Sequence, residues 1–140
     1  MKLLDTSFVV ALLDRRDVLH NEATKLKEQF QYEEFGMLEP ILAETYTVIQ
    51  RRAREKKADC KVAIEKVVEF ERLVKVYKVS FSRYHKEIVE RMKTSNLNYN
   101  DWLLFFFAKE KKMEIITLDK KLKQIAANTA GSARESLLGV

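Results

Sequence analysis

Short apolar runs alternate along the chain with longer segments in which apolar residues recur every three or four positions. The short runs predict β-strands and the longer segments predict amphipathic helices. The predicted strands cover residues 1–5, 36–38, 76–79 and 114–118. The predicted helices cover residues 8–13, 18–30, 40–56, 59–75, 82–94 and 102–111, and a short helix follows residue 119. This alternation favours an α/β protein, with a three-layer α/β/α fold around a mainly parallel sheet of four or five strands.

Polar residues at the element boundaries predict where several helices begin. Thr6 or Ser7 is expected to cap the first helix, and Ser80 or Ser82 the fifth. Asn100 or Asp101 is expected to open the sixth helix, after a polar turn at residues 95–100. The tail from Gly131 has no firm pattern, and residues 136–140 are the candidate for an additional edge strand.

The composition is that of one globular domain, and we expect it to span residues 1–140. The chain has 140 residues, of which 46% are hydrophobic and 34% charged. Its single cysteine, Cys60, has no partner for an internal disulfide, which favours a reducing, cytoplasmic location. The early apolar stretch at 8–13 is too short for a signal peptide or a membrane helix, so no membrane association is expected.

The formal net charge is +5 and the sequence pI is about 9.3. A positive balance suits a polyanionic partner, since lysine and arginine neutralise phosphates and release counterions. The charge alone excludes little, because many basic proteins never bind nucleic acid. It becomes informative only if acidic residues cluster against that basic background.

Four acidic residues are expected to cluster at one edge of the sheet. Asp5 and Asp119 follow the first and last confident strands, Asp101 follows a polar turn, and Glu44 lies one turn into the helix after the second strand. Ligands of open α/β sheets bind outside the carboxyl ends of the strands. Clustered carboxylates repel each other, and a hard divalent cation such as Mg²⁺ would relieve that repulsion.

Ordinary structural roles compete with this interpretation. Asp5, Asp101 and Asp119 could each serve only as a helix cap. Glu44 competes with Glu39, but Glu39 precedes the proline in an extended turn, whereas Glu44 lies on the helix among apolar residues.

Two arginines are candidates for RNA binding. Arg51 follows Glu44 by seven residues and shares its helix face, so with Arg52 it could guide RNA phosphates to the metal. An equally weighted alternative is a solvated helix end whose cations complement the helix dipole. Asp14 and Asp17 are expected to be solvated turn residues.

The aromatic run at residues 102–107 is expected to be buried core, because base stacking is a much rarer role for such a run within a helix. Tyr46, Ile49 and the apolar positions of 62–74 are candidates for a dimer face. Cys60 is expected to have no functional role.

Several motifs occur in one order from residue 1 to about residue 126, and together they resemble a known family. They are Leu3-Leu4-Asp5-Thr6-Ser7, Asp14-Arg15-Arg16-Asp17 before a His-Asn-Glu-Ala helix start, Leu42-Ala43-Glu44, Asn100-Asp101 before an apolar helix, and Ile115-Ile116-Thr117-Leu118-Asp119. In this set the chain resembles the PIN-domain ribonucleases, and most closely the toxin nucleases of the VapC type.

The resemblance implies a function and roles for the matching residues. It implies cleavage of RNA phosphodiester bonds with Mg²⁺ or Mn²⁺, a homodimer, and inhibition by a cognate antitoxin protein. The implied metal ligands, directly or through water, are Asp5, Glu44 and Asp101, and Asp119 completes the pocket as the least secure ligand. Thr6 and Thr117 are implied to hydrogen-bond these carboxylates or the metal-bound waters.

Other functional classes fit less well. A haloacid-dehalogenase-type phosphatase also begins with a strand ending in aspartate, but it needs a second aspartate two residues later, where this chain has Ser7. A receiver domain needs a mid-chain strand that ends in aspartate, and none is predicted. A PIN-like domain that binds RNA or a protein without cutting stays open as the alternative.

Overall fold

The computed structural model describes residues 1–127, in which strands and helices alternate as the sequence pattern predicts. The strands are β1 (Lys2–Leu4), β2 (Phe35–Leu38), β3 (Lys75–Tyr77) and β4 (Glu114–Ile116). The helices are α1 (Thr6–Leu13), α2 (His20–Glu28), α3 (Glu39–Glu55), α4 (Cys60–Glu71), α5 (His85–Lys93) and α6 (Tyr99–Lys111). A further helix, α7, begins at Lys120 and reaches residue 127. The candidate edge strand at 136–140 lies outside the described residues.

The four strands form one sheet in the order β3-β2-β1-β4, and every neighbouring pair is parallel. Helices α1 to α4 pack against one another, and α5 packs against α6. The predicted α/β class, with three layers around a parallel sheet, is therefore confirmed. Because all strands point the same way, their carboxyl ends lie at one edge, which we call the carboxyl edge.

The core follows from the burial of the central strands between helices. Leu3 and Leu4 in β1 are fully buried, and all four residues of β2 are buried as well. Such strands read as continuous apolar runs because helices cover both faces of a parallel sheet. The aromatic run of α6 is core as predicted, since Trp102, Phe105 and Phe107 are all buried.

Two predicted helix starts are wrong, for different local reasons. Helix α1 begins after Asp5, so neither Thr6 nor Ser7 caps it. Helix α5 begins only at His85, because the hydroxyls of Ser80 and Ser82 hydrogen-bond each other (3.1 Å) and residues 81–84 form turns.

Two further boundaries also differ from the prediction. Helix α6 begins at Tyr99, with Asn98 as its cap, rather than at Asn100 or Asp101. Helix α4 ends at Glu71 instead of reaching residue 75, because Lys75 pairs within the sheet as the first residue of β3.

The turn between α1 and α2 is held by ion pairs, which corrects the expectation of solvated aspartates. Arg52 in α3 places Nη1 2.6 Å from Asp17 Oδ2 and 3.3 Å from Asp14 Oδ2. Lys56 Nζ lies 3.3 Å from Asp14 Oδ2. The Asp14 and Asp17 side chains are only 16% and 11% exposed. Helix α3 thereby fixes the turn that follows α1.

The predicted dimer face is used only in part inside the chain, since Val62 and Leu73 are exposed. Ile49 is buried in the core, so its assignment to a dimer face is wrong. Tyr46 donates its hydroxyl to Glu71 Oε1 (2.9 Å), which joins α3 to α4. On α4, Val67 and Phe70 are buried as well. Within residues 1–127, no helix has the length and apolar character needed to cross a membrane.

Gly36 in β2 is the position where the sheet leaves least room. A Cβ atom there would lie 2.6 Å from Cε2 of the Tyr77 ring, which itself packs on Phe107 with ring centroids 5.6 Å apart. Alanine is intrinsically better than glycine in a strand by about 0.5–1 kcal/mol, whereas overpacking costs about 1–3 kcal/mol. The steric cost exceeds the intrinsic gain.

We therefore predict that Gly36→Ala lowers the free energy of unfolding by about 1–2 kcal/mol, measured by urea denaturation. In a Tyr77→Val background the same substitution should cost much less, because the clashing ring is gone. Equal costs in both backgrounds would show that the Tyr77 ring is not the cause.

Candidate active site

Asp5 follows β1 at the carboxyl edge, and its side chain is buried in a small hydroxyl network. The residue is 6% exposed, and its Oδ2 accepts hydrogen bonds from Ser7 Oγ (2.8 Å) and Thr117 Oγ1 (2.7 Å). The Asp5 carboxylate makes no side-chain cap to α1, although the residue occupies the N-cap position. Its side chain therefore faces the strand ends rather than the helix terminus.

The same network joins the chain after β1 to the chain after β4. Ser7 Oγ accepts the backbone N–H of Leu118 (3.1 Å) and lies 3.1 Å from Thr117 Oγ1. Thr117 Oγ1 in turn accepts the backbone N–H of Asp119 (3.0 Å). Ser7 is a site residue to which the sequence assigned no role beyond a possible helix cap, because a hydroxyl at a helix start is an ordinary capping residue. The available signal was a hydroxyl two residues after an aspartate at a strand end.

Glu44 approaches the same edge from α3 and is held by two donors. Its Oε2 accepts from Thr6 Oγ1 (3.0 Å) and from Asn100 Nδ2 (3.2 Å). Glu44 is half-buried, whereas its rival Glu39 is exposed at the start of α3. Asn100 is the second such residue, since the sequence assigned it no role beyond opening the sixth helix.

Asp101 lies in the first turn of α6 and takes part in a capping box. Its Oδ2 accepts the backbone N–H of Asn98 (3.0 Å), and its own N–H donates to Asn98 Oδ1 (2.9 Å). The capping alternative for Asp101 is therefore a real structural role. Capping does not explain why the negative charges of the other three acids lie close enough to act on it.

Burial and neighbouring acids together raise the pKa values of two of the acids, Asp101 and Asp5. Burial raises the pKa of Asp101 to about 6, with further upward contributions from the charges of Asp5, Asp119 and Glu44. Burial also raises the pKa of Asp5, against the hydrogen bonds from Thr117 and Ser7, and the charge of Glu44 adds to the rise. The structure thus brings all four predicted acids to one place at the carboxyl edge.

Asp119 is the outermost of the four. It is exposed, and its Oδ1 accepts the backbone N–H of Leu122 (3.0 Å), so it caps α7. Its charge nevertheless reaches Asp101. Its place as the least secure metal ligand stays a prediction.

The donor atoms of this pocket are oxygens, which suit a hard divalent cation. Among residues 1–127, however, no group of three or more His, Cys, Asp or Glu side chains is arranged to hold a metal ion as it stands. The oxygen donors of the pocket therefore match the ligands that Mg²⁺ or Mn²⁺ prefers, although residues 1–127 do not form a direct ligand set as they stand.

The two candidate RNA-binding arginines differ in their surroundings. Arg51 is largely exposed, and its Nε lies 3.9 Å from Glu55 Oε1, a surface pair that contributes little. Arg52 is engaged with Asp14 and Asp17 on the α1–α2 turn. Arg52 therefore has a structural task, and only Arg51 stays available as a phosphate ligand.

Comparison with known proteins identifies a family and a fold. The family description "PIN domain" matches residues 2–128. No curated protein matches the sequence. Among solved structures, the chain is similar to the VapC20 toxin of Mycobacterium tuberculosis, described as cleaving the sarcin–ricin loop. That likeness has a TM-score of 0.72 and 19% identity over 89% of this chain and 94% of the other.

A second solved structure, PAE2754 from Pyrobaculum aerophilum, has a similar fold. Its TM-score is 0.62 and its identity 18%, over 93% of this chain and 89% of that chain. At these identities the two structures support the fold alone.

The raised pKa of Asp101 implies that the free energy of unfolding depends on pH. Because the folded-state pKa is about 6 and the ordinary value is 3.8, ionisation of Asp101 destabilises the fold as pH rises through that interval. In a chelating buffer at pH 7.5, Asp101→Asn should raise Tm by about 3 °C, corresponding to about 1 kcal/mol after allowance for solvent screening. The gain should disappear near pH 4, where Asp101 is protonated in the folded protein.

Asp59→Asn is the matched control, since Asp59 caps α4 through the Val62 N–H (3.3 Å) outside the acidic pocket. It should change Tm little at either pH. If Asp101→Asn is instead less stable than the parent protein at pH 7.5, the acid contributes only as a cap.

Proposed function

The chain belongs to the PIN domain family, and from this premise we propose that it is a metal-dependent ribonuclease that hydrolyses RNA phosphodiester bonds. The observation that carries the proposal is the convergence of Asp5, Glu44 and Asp101 from three separate segments on one edge of the sheet. Mutual repulsion of buried carboxylates lowers the free energy of unfolding unless a bound cation or a proton neutralises them. A cation bound for catalysis would offset this repulsion, so the cluster supports a metal-dependent nuclease.

In this proposal, Asp5, Glu44 and Asp101 hold Mg²⁺ or Mn²⁺, directly or through water, and Asp119 completes the pocket. When bound, such an ion would supply Lewis-acid activation of the phosphodiester and of a water nucleophile. No cysteine or histidine nucleophile is required.

The surrounding side chains orient the carboxylates. Ser7 and Thr117 donate to one oxygen of Asp5, so they fix the direction of its carboxylate. Thr6 and Asn100 do the same for Glu44. Such partners of ligating groups commonly contribute about 10–100-fold to metal affinity or activity.

The biological setting is proposed from the family and the similar fold. The VapC20 structure is described as that of a toxin that cleaves the sarcin–ricin loop. We extend from it that this chain is a VapC-type toxin with an RNA substrate, a homodimeric state and a cognate antitoxin, acting in the cytoplasm. We also propose that residues 1–140 form a single PIN domain. The net charge of +5 supports an RNA substrate.

A PIN-like module that binds RNA or protein without cutting is the second candidate. It is favoured by the capping roles of Asp101 and Asp119 and by the absence, within residues 1–127, of a preformed metal geometry. Metal binding and RNA cleavage distinguish the two.

The first test is the effect of metal on stability. Ligands that bind only the folded state stabilise it by about 2.7 kcal/mol at a hundred times Kd. Titration of the chelated protein with Mn²⁺ should therefore raise Tm progressively, by up to about 8 °C. In Asp5→Asn the rise should be largely lost, whereas Asp59→Asn should respond like the parent protein. An equal Mn²⁺ response in Asp5→Asn would exclude Asp5 as a ligand.

The second test is cleavage of RNA. With Mg²⁺ or Mn²⁺ the protein should degrade RNA, and chelation should stop it. Asp5→Asn and Asp101→Asn should each lower the cleavage rate at least about a hundredfold, and Ser7→Ala about tenfold or more. Circular dichroism should show that these variants stay folded. Metal-independent RNA binding without cleavage would support the non-catalytic module instead.

A further inference from the structure

The loop at residues 78–84 lies at the same edge as the acidic pocket, but no role has been assigned to it. It follows the carboxyl end of β3, just as Asp5 follows β1 and Thr117 follows β4. Because the four strands are parallel, this loop must emerge at the carboxyl edge. In the sheet order, β3 neighbours β2, the strand that leads into the helix of Glu44.

This loop presents an aromatic ring to solvent, supported from behind by two other rings. Phe81 is 69% exposed. Its ring centroid lies 4.4 Å from that of His85 and 6.1 Å from that of Tyr99, and the Phe81 and Tyr99 rings are within 10° of parallel. His85 Nδ1 lies 3.1 Å from the Tyr99 hydroxyl, so a hydrogen bond connects these two rings. We call Phe81, His85 and Tyr99 the aromatic platform.

The platform borders the acidic pocket through the start of α6. Tyr99 is the first residue of that helix, and the next residue, Asn100, donates to Glu44. Tyr99, Asn100 and Asp101 are consecutive in the first turn of α6, so the ring of Tyr99 and the carboxylate of Asp101 leave the helix on different sides of Asn100. A polynucleotide that continues from the pocket across the start of α6 would therefore reach the platform.

The chemistry of the platform matches a nucleobase. Bases stack on exposed aromatic rings with little sequence preference, since every base has a π-face. The aromatic residues buried in α6, such as Trp102 and Phe105, cannot take that role. Lys78 and Lys86 lie within five residues of Phe81 along the chain and add positive charge suited to a phosphate backbone.

We propose that Phe81, backed by His85 and Tyr99, stacks an unpaired base of single-stranded RNA beside the acidic pocket. This proposal rests on RNA being the substrate, as proposed above, but not on cleavage. A protein partner fits less well, because the chain around Phe81 is polar: Ser80 and Ser82 flank it, and Arg83 follows.

The test measures binding in the absence of metal. A fluorescein-labelled single-stranded RNA of about ten nucleotides is titrated with the full chain in a chelating buffer, and Kd is read from fluorescence anisotropy. Phe81→Ala should weaken binding about tenfold, and Phe81→Trp should restore it. Val18→Ala is the matched control, because Val18 is 96% exposed and follows Asp17, which Arg52 holds near the end of α3 that is remote from the carboxyl edge. It should leave Kd unchanged.

A second probe separates stacking from a structural effect of the substitution. With an oligonucleotide of equal length whose central nucleotides are abasic, the parent protein and Phe81→Ala should bind equally. The protein could bind RNA through Phe81 and yet cleave none when loaded with metal. That result would support base stacking on the platform and refute the nuclease proposal.

Three results would overturn the proposal that the platform stacks a base. One is an unchanged Kd for Phe81→Ala on the intact RNA, and another is a failure of the parent protein to bind RNA at all. The third is a change of oligomeric state in Phe81→Ala, measured by sedimentation velocity, with RNA affinity preserved. That result would assign Phe81 to a protein interface, and it would leave the cleavage test of the nuclease proposal unaffected.

Discussion

Like charges in a partly buried place repel, and the carboxyl edge of this sheet concentrates several of them. Burial raises the pKa of Asp5 and of Asp101; the charge of Glu44 adds to both rises, and the charges of Asp5 and Asp119 add to that of Asp101. The parallel sheet imposes this arrangement, because Asp5 follows β1, Glu44 lies in the helix after β2 and Asp119 comes soon after β4. The rest of the chain must hold these groups together against their repulsion.

Hydrogen bonds from short side chains supply that restraint. Ser7 and Thr117 fix Asp5 and also connect the segments after β1 and β4, while Asn100 brings α6 to Glu44. Two of the acids have two roles each. Asp101 and Asp119 stabilise α6 and α7 as caps, and they also add negative charge to the pocket. Capping and metal binding are therefore compatible interpretations of the same side chains.

The sequence predicted the alternation of elements, the fold class and the edge at which the acids meet, because these follow from periodicity and from the geometry of parallel strands. What it could not predict depends on contacts between distant segments. Asp17 looked like a solvated turn residue because its partner, Arg52, lies 35 positions further along the chain. Ser7 and Asn100 looked like ordinary helix-start residues, since the residue types that cap helices are also those that hydrogen-bond to carboxylates. The sequence does not single out Phe81, because only the fold brings it together with His85 and Tyr99.

The central claim is that the acids at the carboxyl edge converge on a divalent cation. The most direct measurement is anomalous diffraction from crystals soaked in Mn²⁺, collected at a wavelength that identifies manganese. We expect a manganese peak among Asp5, Glu44 and Asp101, with ligand distances typical of oxygen donors. A fully soaked crystal with no peak there, or with manganese bound only elsewhere, would contradict it.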